Sequence, residues 1–269
     1  MPGTPESGLA GSSYDRAASA SGVRWISVDK PGYGHSDPLR RRSLLGWPDD
    51  IAELSAHLGL ERFAVAGESG GGPHALAVSR AFPERVTVTA LLASMGPSHE
   101  PWVRQGMRPT NVVFFYLASY LPMALRVPLS VMRCALRIPA IAARIESSGP
   151  AADQAAARDP EAGYRDQAVE DAFRGGTRAA AEELQLFAKP WGFDLAEVTG
   201  PVQLWHGTSD VNVPISIALG LASQLPEVVT HYVENAGHCV GFDRRHEVMR
   251  VVIGAAAGGH RGECAGDTG

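Results

Sequence analysis

Residues 62–77 read Arg62-Phe-Ala-Val-Ala-Gly67-Glu-Ser69-Gly-Gly-Gly-Pro-His-Ala-Leu-Ala77. From Arg62 to Gly67 the run is apolar nearly throughout, as a strand covered on both faces should be. From about Gly72 to Phe82 small residues read as a helix, broken before Pro83. Between the two lies G-x-S-x-G, with Gly67, Gly70 and Gly71 around Ser69. Glycines there allow a turn tight enough to pass from strand to helix at once. Such a turn lifts the Ser69 hydroxyl out of the sheet and aims a helix N-terminus at it.

Outward from this stretch, short apolar runs alternate with helical patterns. Val23-Arg-Trp-Ile-Ser-Val-Asp29 reads as a strand ending in the turn Pro31-Gly-Tyr-Gly34. A helix follows, with Ile51, Leu54 and Leu58 on one face, ended by Gly59. Further strands are expected at Val86–Ala93, Val202–His206 and Val228–Val233, and a closing helix at Arg244–Ala257. The pattern predicts an α/β fold, a mostly parallel sheet flanked by helices. Residues 98–190 show no strand pattern. They are Ala-rich and cut by prolines, and are expected to form a helical lid inserted into a core of 1–97 and 191–257. Residues 258–269 are Gly-rich and polar, a disordered tail by expectation.

A serine hydroxyl is a weak nucleophile, so a base and an orienting acid are needed. In folds with this turn they follow in the order Ser, acid, His. Asp210 lies in a loop past the Val202–His206 strand, and His238 in a loop past Val228–Val233. Both therefore fall on the strand C-terminal edge, where ligands gather in open α/β sheets. The expected site is Ser69, Asp210 and His238, with Gly70 N–H as the first oxyanion donor. The alternatives are a Gly-rich turn that merely caps a helix, a structural His238, and Asp194 as the acid. His206 and His35 are expected to brace loops, and His74 to line the pocket or pack beneath it. Glu68 is left between pairing with a lid arginine and touching substrate.

Four stretches together resemble the lidded bacterial esterases of the α/β-hydrolase superfamily. They are Asp29-Lys-Pro-Gly-Tyr-Gly-His-Ser36, Gly67-Glu-Ser-Gly-Gly-Gly-Pro-His-Ala-Leu-Ala77, His206-Gly-Thr-Ser-Asp210 with Val213-Pro214, and Asn235-Ala-Gly-His238. The resemblance implies that Ser69 attacks an acyl carbon, His238 shuttles the proton, and Asp210 holds the imidazole. It also implies that Met1-Pro-Gly-Thr-Pro5 is the far end of an oxyanion loop, with Thr4 N–H as second donor. The strand that precedes this loop in the family, between those ending near Asp29 and Glu68, is missing. Two strand edges would be left unpaired, and a shortened reading of a longer protein is expected over a rearranged sheet.

The resemblance implies cleavage of a medium-sized, mainly hydrophobic ester, lactone or thioester. C–C bond hydrolysis, acyl transfer and haloperoxidase-like chemistry use the same triad, and a non-catalytic binding module is the reading from another class. Asp in place of Ser69 would mark epoxide or haloalkane hydrolysis, which is disfavoured. Phe114, Phe115, Tyr116, Tyr120, Leu121, Met123 and Leu125 supply the lid's own core and part of an apolar pocket. Arg126, Arg133, Arg137 and Arg144 recur at helical spacing as a basic stripe, either solvated or an anchor for an anionic substrate.

The 269 residues are 45% hydrophobic and 20% charged, with a net charge of -5, so no nucleic-acid partner is expected. Cys134, Cys239 and Cys264 form no paired framework, which argues for a reducing compartment. No residues show metal-ligand spacing, and neither metal nor cofactor is expected. There is no leader pattern, and the longest apolar stretch, Val112–Leu125, is interrupted by Pro122. The expectation is a cytoplasmic protein acting on a small molecule, away from membranes.

Overall fold

The computed structural model describes residues 1–147, 149–159 and 165–258. The expected tail lies outside them, apart from Gly258, which ends the last helix. Four strands, β1 (Phe63–Glu68), β2 (Val86–Leu92), β3 (Val202–Gly207) and β4 (Val228–Val233), form a parallel sheet in that order. Side chains alternate across it. Leu91 and Leu204 join one core, and Ala90, Leu92 and Trp205 the other.

The first core is closed by α2 (Trp47–His57), α3 (Gly71–Ala81) and α11 (Ile215–Gln224) through Ile51, Leu76 and Ile217. The second is closed by α1 (Asp15–Ala20), α12 (Val240–Asp243) and α13 (Arg245–Gly258) through Ala17, Val240 and Met249. Helix α2 starts as its sequence dictates, with Pro48, Asp49 and Asp50 in the first turn, and Gly59 beyond its end has φ +65°.

Between β2 and β3 the chain is helical, as expected. Its helices are α4 (Pro101–Arg104), α5 (Pro109–Tyr120), α6 (Arg126–Leu136), α7 (Pro139–Ser147), α8 (Ala151–Ala157), α9 (Arg165–Ala172) and α10 (Arg178–Ala188). The prolines that cut the sequence pattern set helix starts: Pro101, Pro109 and Pro139 open α4, α5 and α7, and Pro150 is the N-cap of α8. The basic stripe is cut short after Arg137. Arg126 and Arg133 belong to α6, Arg137 caps its end and pairs with Glu170 at 3.1 Å, and Arg144 belongs to α7. Pro139 starts a new helix, so the four-and-seven spacing is not carried along one axis.

A second expectation fails at the sheet edge. Residues 23–29 form no strand. A strand needs a hydrogen-bonded neighbour, and among the described residues the outer edge of β1 is hydrogen-bonded only by Met1. The Met1 amino group donates to Ala66 O at 2.5 Å, and Glu68 N–H donates to Met1 O at 3.1 Å. Further along, a cavity of about 280 Å³ separates Trp25, Ile26 and Val28 from Phe63 and Val65. For the same reason β1 is not covered on both faces, and Ala64 is exposed. Among the described residues no helix is long and apolar enough to cross a membrane.

Candidate active site

Ser69 sits at the turn from β1 to α3 with φ +51°, a left-handed conformation that L-residues rarely adopt. Its backbone is held from both sides. Ser69 N–H donates to Leu92 O at 2.9 Å, and its carbonyl accepts Met95 N–H at 3.0 Å and Gly72 N–H at 3.1 Å. The end of β2 thus over-determines a strained residue, as strain at a functional turn requires. Gly67 permits the turn, since a Cβ there would lie 2.5 Å from Gly71 O and 2.7 Å from Gly72 Cα.

The loops after β3 and β4 bring Asp210 and His238 together. His238 Nδ1 lies 2.7 Å from Asp210 Oδ2. Asp210 Oδ1 accepts the N–H groups of Asn212 at 2.8 Å and Val213 at 2.9 Å. Burial pushes the Asp210 carboxyl up, but His238 and these bonds outweigh it and hold the group below its ordinary value. An ionised carboxylate only accepts, so Nδ1 carries the proton and Nε2 is left as the basic nitrogen.

Ser69 and His238 line one cavity of about 400 Å³, together with Gly70 and Thr4. Gly70 and Thr4 are packed so closely that a Cβ on Gly70 would overlap Thr4 Oγ1. Among the described residues, neither the Gly70 nor the Thr4 N–H donates to a protein acceptor. The rest of the lining is mainly apolar, with Met95, Phe114, Phe115, Leu129, Met132 and Phe187. Among the described residues no lysine or arginine lines the cavity, whereas Glu6 and Glu68 do.

The other candidates fall elsewhere, apart from Glu68 in the lining. Asp194 is the N-cap of a 3₁₀ turn at Leu195–Glu197, in a reciprocal capping box with Glu197. His206 is fully buried with Nε2 2.8 Å from Val213 O, a structural role as expected. His35 meets the Arg174 guanidinium at 2.8 Å and braces its loop. His74 packs beneath the cavity, its Nδ1 3.2 Å from Gly70 O, and burial lowers its pKa to about 3. Glu68 accepts the Tyr14 hydroxyl at 3.3 Å. Arg126, Arg133, Arg137 and Arg144 do not line the cavity. Cys134 is an exposed free thiol, Cys239 is half-buried beside His238, and Cys264 lies outside the described residues. Among the described residues no three His, Cys, Asp or Glu cluster as metal ligands.

Sequence reasoning missed two groups beside the site. Lys30 and Glu183 form an ion pair at 2.9 Å, with both side chains fully buried. Asp153 of α8 accepts the N–H of Cys239, next to His238, at 2.8 Å. Neither carboxylate stands in a motif, so nothing in the local sequence marks it.

Two curated relatives match most of the chain. A 2-hydroxy-6-oxononadienedioate/2-hydroxy-6-oxononatrienedioate hydrolase of Cupriavidus pinatubonensis is 26% identical over 261 residues, covering 87% of this chain and 76% of the relative. A second hydrolase of the same description, from Pseudomonas putida, is 27% identical over 240 residues, with 87% and 77% covered. Among solved structures, an esterase from Exiguobacterium antarcticum superposes with TM-score 0.68 at 19% identity, covering 96% of this chain and 90% of that one. A bromoperoxidase from Bacillus anthracis gives 0.69 at 17% identity, with 94% and 90% covered. At such identities the structures speak for the fold alone. A family model described as the alpha/beta hydrolase family matches residues 2–251. That match spans most of the sequence, and the chain belongs to the alpha/beta hydrolase family.

Proposed function

We propose that the protein is a serine hydrolase that cleaves an ester, lactone or thioester of a medium-sized, mainly hydrophobic substrate. One observation carries this reading: the strained Ser69 opens into the same apolar cavity as His238, whose Nδ1 is bound to Asp210 at 2.7 Å. Ser69 Oγ attacks the acyl carbon while His238 Nε2 takes the hydroxyl proton. The tetrahedral oxyanion is received by the N–H groups of Gly70 and Thr4. Collapse breaks the acyl–oxygen or acyl–sulfur bond, and His238 returns the proton to the leaving group. Water, deprotonated by His238, then releases the acid and restores Ser69. The helical insertion serves as the lid, lending Phe114, Phe115 and Leu129 to the acyl pocket.

The names of the two curated relatives favour a second reading, hydrolysis of a carbon–carbon bond with the same triad. Their named substrates are dicarboxylates. A dianion in this cavity would face Glu6 and Glu68 with no lysine or arginine among the described lining residues, an expensive burial of charge. The ester reading stands first on that ground.

The test is mass spectrometry after exposure to a fluorophosphonate, with hydrolysis of p-nitrophenyl hexanoate and of a 2-hydroxy-6-oxodienedioate measured in parallel. A single adduct on Ser69, lost in His238→Ala, with turnover of the hexanoate, is the expected result. Turnover of the dienedioate alone would replace the ester reading by the second one. A folded, unlabelled and inactive chain would leave a binding module.

A further inference from the structure

Two fully buried charges, Lys30 and Glu183, lie against the Pro2–Thr4 segment, and the mechanism above makes no use of them. Glu183, on α10 of the insertion, is fully buried. Its Oε1 lies 2.9 Å from Lys30 Nζ, and its Oε2 accepts the hydroxyls of Thr4 at 2.6 Å and Tyr33 at 2.7 Å. Lys30, also fully buried, donates to the carbonyls of Pro2 at 3.0 Å and Gly3 at 2.9 Å. Three consecutive residues of irregular backbone are thus fastened by one ion pair. Gly3 is fastened again by Glu6, whose Oε2 accepts its N–H at 3.0 Å. What this leaves without a protein acceptor is Thr4 N–H, beside Gly70 at the cavity.

One other cation and a histidine stand near. Arg42 lies 3.7 Å and His74 3.6 Å from Glu183 Oε1. Burial keeps His74 neutral at ordinary pH, and Lys30 and Arg42 help hold Glu183 ionised although burial opposes it. A hydrophobic pair of similar volume would fill the space at least as stably as an ion pair. What it could not do is hold two carbonyls and a hydroxyl in fixed directions, which is the arrangement an oxyanion donor needs before the reaction begins.

We infer that Glu183 and Lys30 are positioning residues that set Thr4 N–H as the second oxyanion donor, so that the helical insertion completes the oxyanion hole as well as covering it. This rests on the serine-hydrolase reading above. The insertion, by this account, is coupled to catalysis through a carboxylate that never touches substrate.

The test uses the full chain and three forms: Glu183→Gln, Thr4→Val, and the double variant Lys30→Met with Glu183→Leu. Steady-state hydrolysis of p-nitrophenyl hexanoate is measured beside inhibition by an alkyl trifluoromethyl ketone, which adds Ser69 Oγ to its carbonyl and so mimics the oxyanion. In Glu183→Gln, kcat is expected to fall about 10- to 100-fold with KM changed less than about 2-fold, the ketone losing affinity in step. Thr4→Val keeps the backbone donor but not its tether, and is expected to lose less, about 10-fold. Circular dichroism and fluorophosphonate stoichiometry show that each form is folded with one reactive Ser69. Wild-type kcat and ketone affinity in the folded double variant, or in Glu183→Gln should the double variant not fold, would overturn the inference. So would a loss confined to KM. An inactive, unlabelled wild type would instead overturn the serine-hydrolase reading, and the inference with it.

Discussion

Cys239 N–H donates to Asp153 Oδ1 at 2.8 Å, which ties the residue after His238 to helix α8 of the insertion. The same helix packs Ala156 against Phe242, and just past its end Asp159 pairs with Arg245 at 3.2 Å. Arg245 lies over the Phe242 ring, 4.2 Å from its centroid. Among its contacts with the core, the helical segment between β2 and β3 thus reaches the Pro2–Thr4 segment through Glu183 and the His238 loop through Asp153. These two contacts meet the candidate site from opposite sides of the chain, one before Ser69 in sequence and one after it.

Removing the second contact should be felt at His238. Asp153→Ala leaves the Cys239 N–H without its charged acceptor, a loss of about 1–3 kcal/mol in stability. The His238 loop is then free to shift, and kcat on p-nitrophenyl hexanoate should fall several-fold, while Asp153→Asn, which keeps an acceptor, should stay near wild type. Urea denaturation and steady-state kinetics on both variants check this. Equal activity in wild type and Asp153→Ala would mean that the loop is held by the core alone.

Asp210→Asn should be far more damaging to rate than to fold. Asp210 Oδ1 accepts two backbone N–H groups, and an Asn carbonyl oxygen can take over that role. Its NH₂ would then face His238 Nδ1 and favour the tautomer with the proton on Nε2, where the base is needed. A loss of kcat of about 10⁴-fold with an unchanged circular dichroism spectrum is expected. A loss below about 10-fold would point to another carboxylate as the orienting acid.

These residues were legible from sequence because each sits where the fold leaves little choice. Gly67 must lack a side chain for Ser69 to turn, and Asp210 and His238 each follow a strand whose end defines the edge of the sheet. Glu183 was not legible. It lies in an Ala-rich helix beside the exposed Glu182–Arg178 pair at 2.7 Å, and only the fold brings it to Lys30. The two failures have the same physical origin. Strand propensity at residues 23–29 could not supply a hydrogen-bonding neighbour, and arginine spacing could not anticipate that α6 ends at Leu136 before Pro139 begins α7. Periodicity reports what a segment can do, and pairing is decided by what lies next to it.

Acid should unfold the protein partly through the Glu183 cluster. Unfolded, Glu183 binds its proton near the ordinary value of 4.5; folded, burial raises its pKa but its cationic neighbours, Lys30 foremost and Arg42 with it, outweigh that and bring it to about 2. Between these values the unfolded chain holds the extra proton, so the stability this group supplies is whole above pH 4.5 and lost as pH falls towards 2. His74 acts in the same direction from higher pH, since burial lowers its pKa from the ordinary 6.5 to about 3 and the folded form resists charging. One proton corresponds to a slope of about 1.4 kcal/mol per pH unit at most. Urea unfolding between pH 7 and 3 should show stability falling in acid, with a shallower fall below pH 4.5 in Glu183→Gln. Parallel curves for the two proteins would show that Glu183 titrates alike folded and unfolded.

Exchange at the outer edge of β1 should be divided residue by residue. Parallel pairing with β2 joins Val65 to Thr89 and Gly67 to Leu91, and successive residues of a strand direct their backbone groups to opposite sides. Glu68 N–H points outward, to Met1 O, and Ala66 O points outward, to the Met1 amino group. Ala64 and Ala66 N–H groups share that direction and face the cavity between β1 and residues 23–28. Their amides should exchange with solvent at least about 100-fold faster than those of Val65 and Gly67, whose bonds open only when the sheet does. Glu68, held by Met1, should be intermediate. Hydrogen exchange read by NMR resolves these five amides. Uniform slow exchange along β1 would mean that a further segment pairs with this edge in solution and fills the cavity, whereas uniform fast exchange would mean that β1 itself is loosely held and that the turn presenting Ser69 lacks a rigid base.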